Sequence, residues 1–227
     1  MLKHILVGID FSPAWPLVES QLNRLPPLGC ERVTLAYVIN VGYTQAPEVP
    51  HREYYEKKLA EIAKNIEDIS GLSVDWTIRT GRIASELIAA AKDNDADTIL
   101  LGSQGRHYIH DFMLGSTALD VARMTDRPLL LAPVNGENET PGDEICRPLL
   151  ATDGSPAAAG AEKAFLKILK CCERGVIVSV GRWDNSEEED DERTSIENHI
   201  KKIVQNTNPD NIDIVLVGHG KPSRQIH

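Results

Sequence analysis

The chain is short of cysteine, has no apolar run long enough to cross a membrane and carries no surplus of positive charge, and each shortage removes a class of function. Its four cysteines, Cys30, Cys146, Cys171 and Cys172, show neither C-x-x-C spacing nor a paired histidine motif. Neither a zinc site nor a disulfide framework is therefore suggested, and free thiols in a reducing compartment are expected. A net charge of -10 argues against nucleic acid and anionic membrane surfaces as principal partners, because a phosphate backbone demands a basic face. It leaves room for a local basic pocket holding one nucleotide. With no membrane-length segment, and with Met1-Leu2-Lys3-His4-Ile5 opening directly on a strand-like run, the expected location is the cytoplasm. Two common nucleotide fingerprints are also missing. No Gly-Lys-Ser/Thr completes a P-loop, and no G-x-G-x-x-G opens the first strand–helix turn.

What is present is a soluble composition with a core. The 227 residues, 41% hydrophobic, have room for one large domain or up to two small ones. Ile5-Leu6-Val7-Gly8-Ile9 reads as a buried strand ending in Asp10-Phe11-Ser12-Pro13. Ser12 before Pro13 reads as an N-cap with a first-turn proline, which predicts a helix from about Pro13 to Arg24. Pro26-Pro27-Leu28-Gly29 breaks it, and Val33 to Ile39 forms the next strand. A Gly-, Pro- and Gln-rich loop leads to about Pro50, and Glu53 to Ile69 has helical periodicity. Val74, Trp76 and Ile78 alternate with polar residues, predicting a half-exposed third strand near an edge. A helix from about Ile83 to Lys92, a fourth strand over Thr98-Ile99-Leu100-Leu101 and a fifth over Arg127 to Pro133 follow. The prolines flanking the fifth suit an edge.

Strands alternating with helices imply right-handed crossovers and a parallel sheet covered on both faces. The expected order is 3-2-1-4-5, whose winding reverses between the first and fourth strands; ligands in such sheets sit outside the strands' carboxyl ends at that reversal. Gly102-Ser103-Gln104-Gly105-Arg106 leaves the fourth strand there, and nine residues separate Gly105 from Gly115-Ser116-Thr117 at the next helix start. Glycines let a ligand approach the backbone. A helix start with two hydroxyls offers free N–H groups and a positive dipole end to phosphate oxygens. The same residues also suit an ordinary strand–helix loop capped by Gly and Ser.

After a polar stretch from Asn135 to Arg147, read as a linker, the chain repeats itself. Leu149-Leu150-Ala151-Thr152-Asp153-Gly154-Ser155-Pro156 echoes the run ending in Asp10-Phe11-Ser12-Pro13, Cys172-Glu173-Arg174 echoes Cys30-Glu31-Arg32, and Ile212 to Val217 followed by Gly220 echoes the third strand and Gly81. The expected organisation is a domain over 1–134, a linker over 135–146 and a partial second copy over 147–227 without the glycine loop. That copy is expected either to belong to a longer tandem protein or to be completed by something else.

These residues resemble the universal stress protein family. The resemblance covers the whole first domain: Gly102-x-x-Gly105, nine residues, then Gly115-Ser116-Thr117 is similar to the family's ATP-binding signature, accompanied by Asp10, the Tyr37-Val38-Ile39 strand and the Arg-Pro-Leu-Leu-Leu fifth strand. It implies an adenine-nucleotide alpha hydrolase-like fold binding ATP or AMP, with Mg an open option. By the same resemblance Asp10 and the main chain of Val38 contact the adenosine part, and Leu101 and Gly102 lie beside the ribose. Gln104, Gly105 and Arg106 border the phosphates, and Gly115, Ser116 and Thr117 bind phosphate oxygens. The family often has His in place of Gln104; an amide does not titrate near neutral pH, so a proton-accepting role is not carried over to Gln104.

Each candidate has a plainer reading beside it. Asp10 also suits a turn closed on the Ser12 backbone, and Arg106 a solvated loop cation. His107 and His110 read as exposed loop residues, and Tyr37 and Trp76 as core or sheet residues rather than adenine stackers. Asp153 is expected to bind nothing, and Glu187 to Glu192 reads as a self-repelling loop. For hydrolysis, Gln104 would orient water and Arg106 or a divalent ion would stabilise charge, but no carboxylate–histidine pair or Ser-His-Asp set is visible in the spacing. Ser-Gly-Gly-x-Asp-Ser and His-x-Gly-His motifs are also absent. The expected function is thus a nucleotide-dependent regulatory module of the stress response, with a slow Mg-dependent ATPase or an interaction protein with an empty cleft as alternatives. A homodimer through the open edge Leu129-Leu130-Leu131 is expected.

Overall fold

A computed structural model describes residues 2–40, 49–103, 115–133, 147–181, 187–205, 207 and 211–218. The chain divides into two compact units, Met1–Glu144 and Ile145–His227. In the first, β1 (His4–Ile9), β2 (Arg32–Asn40), β3 (Ser73–Gly81), β4 (Thr98–Gly102) and β5 (Leu129–Ala132) form one sheet. Its order is β3-β2-β1-β4-β5, and the pairings are parallel. The helices between them are α1 (Trp15–Leu22), α2 (Val49–Ser70), α3 (Ile83–Asp93) and α4 (Ser116–Met124).

Alternation along the strands explains the two-faced covering. Leu6, Ala36, Val38, Ile99 and Leu101 point to one face and pack with Leu87, Ala90 and Ala91 of α3 and Ala118 and Val121 of α4. The intervening Val7, Val33 and Leu35 point the other way and are fully buried; α1 and α2 lie on that side. Each completely buried Leu, Ile or Val contributes roughly 1.5–3 kcal/mol of transfer free energy, so the sheet's centre carries most of the fold. Helix ends follow local chemistry. Gly71 (φ 70) closes α2, its N–H donating to the Glu67 carbonyl at 2.9 Å.

The start of α1 differs from expectation. Ser12 is not its N-cap: that position is Ala14, and the proline in the first turn is Pro16 rather than Pro13. The reason is a tighter turn upstream, in which the Ser12 N–H donates to Asp10 Oδ1 at 2.9 Å and the Ser12 carbonyl accepts from Trp15 N–H at 3.0 Å.

In the second unit β6 (Leu149–Ala151), β7 (Gly175–Val180) and β8 (Ile212–Val217) form a parallel sheet of order β6-β7-β8, with α5 (Ala159–Leu169) and α6 (Glu187–Val204). Its core comprises Leu150, Phe165, Leu169, Ile177, Ile196, Ile200 and Ile212. Details recur between the units. Arg32 pairs with Asp75 at 2.5 Å across β2 and β3, and Arg174 pairs with Asp213 at 3.3 Å at the matching places before β7 and on β8. The Ser155 N–H donates to Asp153 Oδ1 at 2.9 Å, as Ser12 does to Asp10. The acidic run Glu187 to Glu192 is not a loop: it opens α6. Negative residues in a first helical turn complement the helix dipole, so charge that would dissolve other structure suits a helix start.

The expected linker over 135–146, the loop over 41–48, Gly220, and Gln104, Gly105, Arg106, His107 and His110 lie outside the described residues. Among the described residues no helix is long and apolar enough to cross a membrane.

Candidate functional site

Winding reverses at β1, which pairs with β2 on one side and β4 on the other. The register Val7 with Leu100, continued along both strands, brings Asp10 level with the end of β4. The carboxyl edge here is built from main chain. Gly8 lacks a side chain, and the place a Cβ would take is filled by a Leu101 methyl, with Leu87 behind it. Leu101 therefore offers only its backbone to the edge, its side chain being buried between β4 and the helices. Val38 is placed likewise, side chain in the core and main chain paired with β3 at Arg79.

Beyond β4, Ser103 N–H donates to the Ala132 carbonyl at 2.8 Å, and Gly115 N–H donates to the Ser103 carbonyl at 2.9 Å. These bonds stitch the N-terminus of α4 directly onto the end of β4. Gly115 is the N-cap, with φ -57 and ψ 147, no side-chain cap bond and no acidic residue in the first turn. The first N–H groups of an α-helix have no partner within it. At α4 those N–H groups and the positive dipole end lie beside the end of β4, and Ser116 and Thr117 are the first two residues of the helix. That arrangement suits an anion. Among the described residues no group of three or more His, Cys, Asp or Glu is placed to hold a metal ion.

On the β1 side the Asp10–Ser12 turn carries a feature that sequence reasoning missed. Phe11 lies in the left-handed region, φ 52, a conformation costing a non-glycine residue about 1–3 kcal/mol. Its ring meets Tyr37 of β2 at 4.8 Å and stacks on Tyr55 of α2 at 5.6 Å and 16°, and Lys58 Nζ sits 4.4 Å above it. Aromatic pairs contribute about 0.5–1.5 kcal/mol each and an exposed cation–π contact about 0.5–1 kcal/mol, enough together to offset the strain. Tyr37 is thus a sheet residue that also closes an aromatic cluster, while Trp76 lies on β3, 37% exposed. The clue in the sequence was the contrast between repeats. Phe11 stands where the second unit has Gly154, whose φ is 71.

In the second unit hydrogen bonds from Ser155 hold the Asp153 carboxyl below its ordinary value. Glu162 there is buried, accepting from Thr152 Oγ1 at 2.7 Å with His199 Nε2 at 2.9 Å.

A family model described as the universal stress protein family matches residues 1–133. The chain belongs to the universal stress protein family. A universal stress protein of Mycolicibacterium smegmatis is 27% identical over 172 residues, covering 68% of this chain and 55% of that protein. The chain thus spans little more than half of that relative's length. Universal stress protein MJ0577 of Methanocaldococcus jannaschii is 26% identical over 154 residues, 58% of this chain and 94% of that protein. Its solved structure has a TM-score of 0.51, covering 61% of this chain and 99% of that one. A universal stress protein from Archaeoglobus fulgidus, 21% identical, shares the fold with a TM-score of 0.78 over 100% of this chain and 82% of its own.

Proposed function

We propose that the first unit of this universal stress protein binds an adenine nucleotide, ATP or AMP, and acts as a nucleotide-dependent regulatory module in the stress response. One observation carries the reading: the hydrogen bond from Gly115 to Ser103 sets the open N–H groups of α4 against the end of β4, where the winding reverses. Phosphate oxygens meet Gly115, Ser116 and Thr117 there, and the nucleoside lies toward Asp10 and the Val38 main chain beside Leu101 and Gly102. Gln104, Gly105 and Arg106 border the phosphates, and Mg accompanies them as an option. Residues 1–134 form the nucleotide domain, 135–146 a linker and 147–227 a partial second copy. An occupied crevice favours one conformation and thereby biases a protein partner.

Calorimetric titration of the full chain with ATP and AMP, with and without magnesium, tests this. Ser116→Ala and Thr117→Ala each remove a hydrogen bond to a charged group, worth about 1.5–3 kcal/mol, and are expected to weaken binding roughly tenfold or more. No heat at millimolar nucleotide defeats the reading. Phosphate release from Mg-ATP, abolished by Gln104→Ala, replaces it with a slow ATPase.

A further inference from the structure

The register between β1 and β2 ends at Ile9 with Tyr37. Asp10 and Val38, the two nucleoside-side segments, lie one residue beyond it. Phe11 follows Asp10, Tyr37 precedes Val38, and their rings meet at 4.8 Å. A side-chain contact therefore continues the join between the strands past the last backbone pair. Tyr55 stacks on Phe11 and also meets Tyr37, at 4.4 Å, so α2 closes the cluster from outside.

We propose that Phe11 is a positioning residue of the nucleotide site: an aromatic staple that sets the separation between Asp10 and the Val38 main chain, and with it the fit of the nucleoside. This rests on the nucleotide-binding reading above. The turn itself does not call for phenylalanine. The second unit forms the same Asp–Ser hydrogen bond around Gly154, where the space a side chain would need is filled by Ile196 and His199. Glycine reaches the left-handed region without strain, whereas a bulky side chain there is an outlier. The strained residue occurs in the unit that also carries Gly115, Ser116 and Thr117, and what its side chain adds is contact with β2 and α2. The phosphate donors of α4 are held separately, through Ser103. Loosening the staple therefore reaches the nucleoside contacts and spares the phosphate contacts.

The test titrates the full chain and three variants, Phe11→Gly, Phe11→Tyr and Tyr55→Leu, with ATP and with inorganic tripolyphosphate. Phe11→Gly adopts the left-handed turn freely and removes the staple. It is expected to weaken ATP binding about tenfold while tripolyphosphate affinity stays within about twofold of wild type. Phe11→Tyr keeps the stacked ring and rescues ATP binding, and Tyr55→Leu shifts ATP affinity in the same direction by less. Unchanged ATP affinity in Phe11→Gly overturns the proposal, and so does a parallel loss of both ligands, the outcome of a merely structural role. Should Phe11→Gly fail to fold, as judged by circular dichroism, Tyr55→Leu decides by the same comparison. A wild-type chain that binds neither ATP nor AMP defeats the nucleotide reading and the staple with it. Wild-type binding with an indifferent Phe11→Gly defeats the staple alone.

Discussion

At Gly8 the requirement for glycine is steric rather than conformational. The Leu101 methyl that fills the place of a Cβ belongs to a buried residue, packed with Leu87, and has little room to withdraw. Gly8→Ala is therefore an overpacking change, expected to lower unfolding stability by about 1–3 kcal/mol, as measured by urea denaturation. Pairing it with Leu101→Ala is expected to cost less than the sum of the two single changes, because the residues share one volume. Strict additivity would mean that the methyl and the glycine do not compete. Cys30 shows burial acting on chemistry. Removal from water pushes its thiol up to about 11, which keeps it protonated and unreactive near neutral pH.

Among the elements, the start of the chain is tied to the start of β4 by one carboxylate. Asp97 accepts from Leu2 N–H at 2.7 Å, Lys3 N–H at 3.0 Å and Thr98 Oγ1 at 2.7 Å, holding Leu2 in the left-handed region at φ 66. Burial alone would raise the carboxyl's pKa, but the hydrogen bonds outweigh it and leave it below the ordinary 3.8. A carboxylate depressed on folding stabilises above its unfolded pKa, and that contribution is lost as pH falls through the folded value. Asp97→Asn is accordingly expected to be less stable than wild type at neutral pH, with the gap closing as pH drops below about 4. Urea midpoints measured across that range check it; a gap that stays constant would show that the carboxylate's charge is irrelevant. Element boundaries obey similar local chemistry. Hydrogen bonding by Asp10 and Ser12 delays α1.

For the whole molecule, β5 is one of the two borders of the first sheet and among the described residues pairs with β4 alone. Leu131 there is 41% exposed, and an unpaired strand edge presents main-chain donors and acceptors to a second chain. We expect a homodimer through this edge. Leu131→Lys, which places charge on it, should yield a monomer by light scattering at concentrations where wild type is dimeric; a wild-type monomer refutes the interface. What was read correctly from the linear chain was local or periodic, although the cap of α1 and the helical start of α6, local too, were misread. The apolar runs ending at Ile9 and Leu101, the alternation of Val74 and Ile78, the Gly and Ser at the start of α4 and the repeat from Leu149 onward each follow from residues close in sequence. Tertiary structure alone decided which distant residues share a volume or a bond: Leu101 against Gly8, Asp97 beneath Leu2, Gly115 on Ser103, and the Phe11 ring against Tyr37 and Tyr55. Periodicity specifies the face on which a side chain points, whereas the partner it meets there depends on how strands and helices from remote parts of the chain pack together.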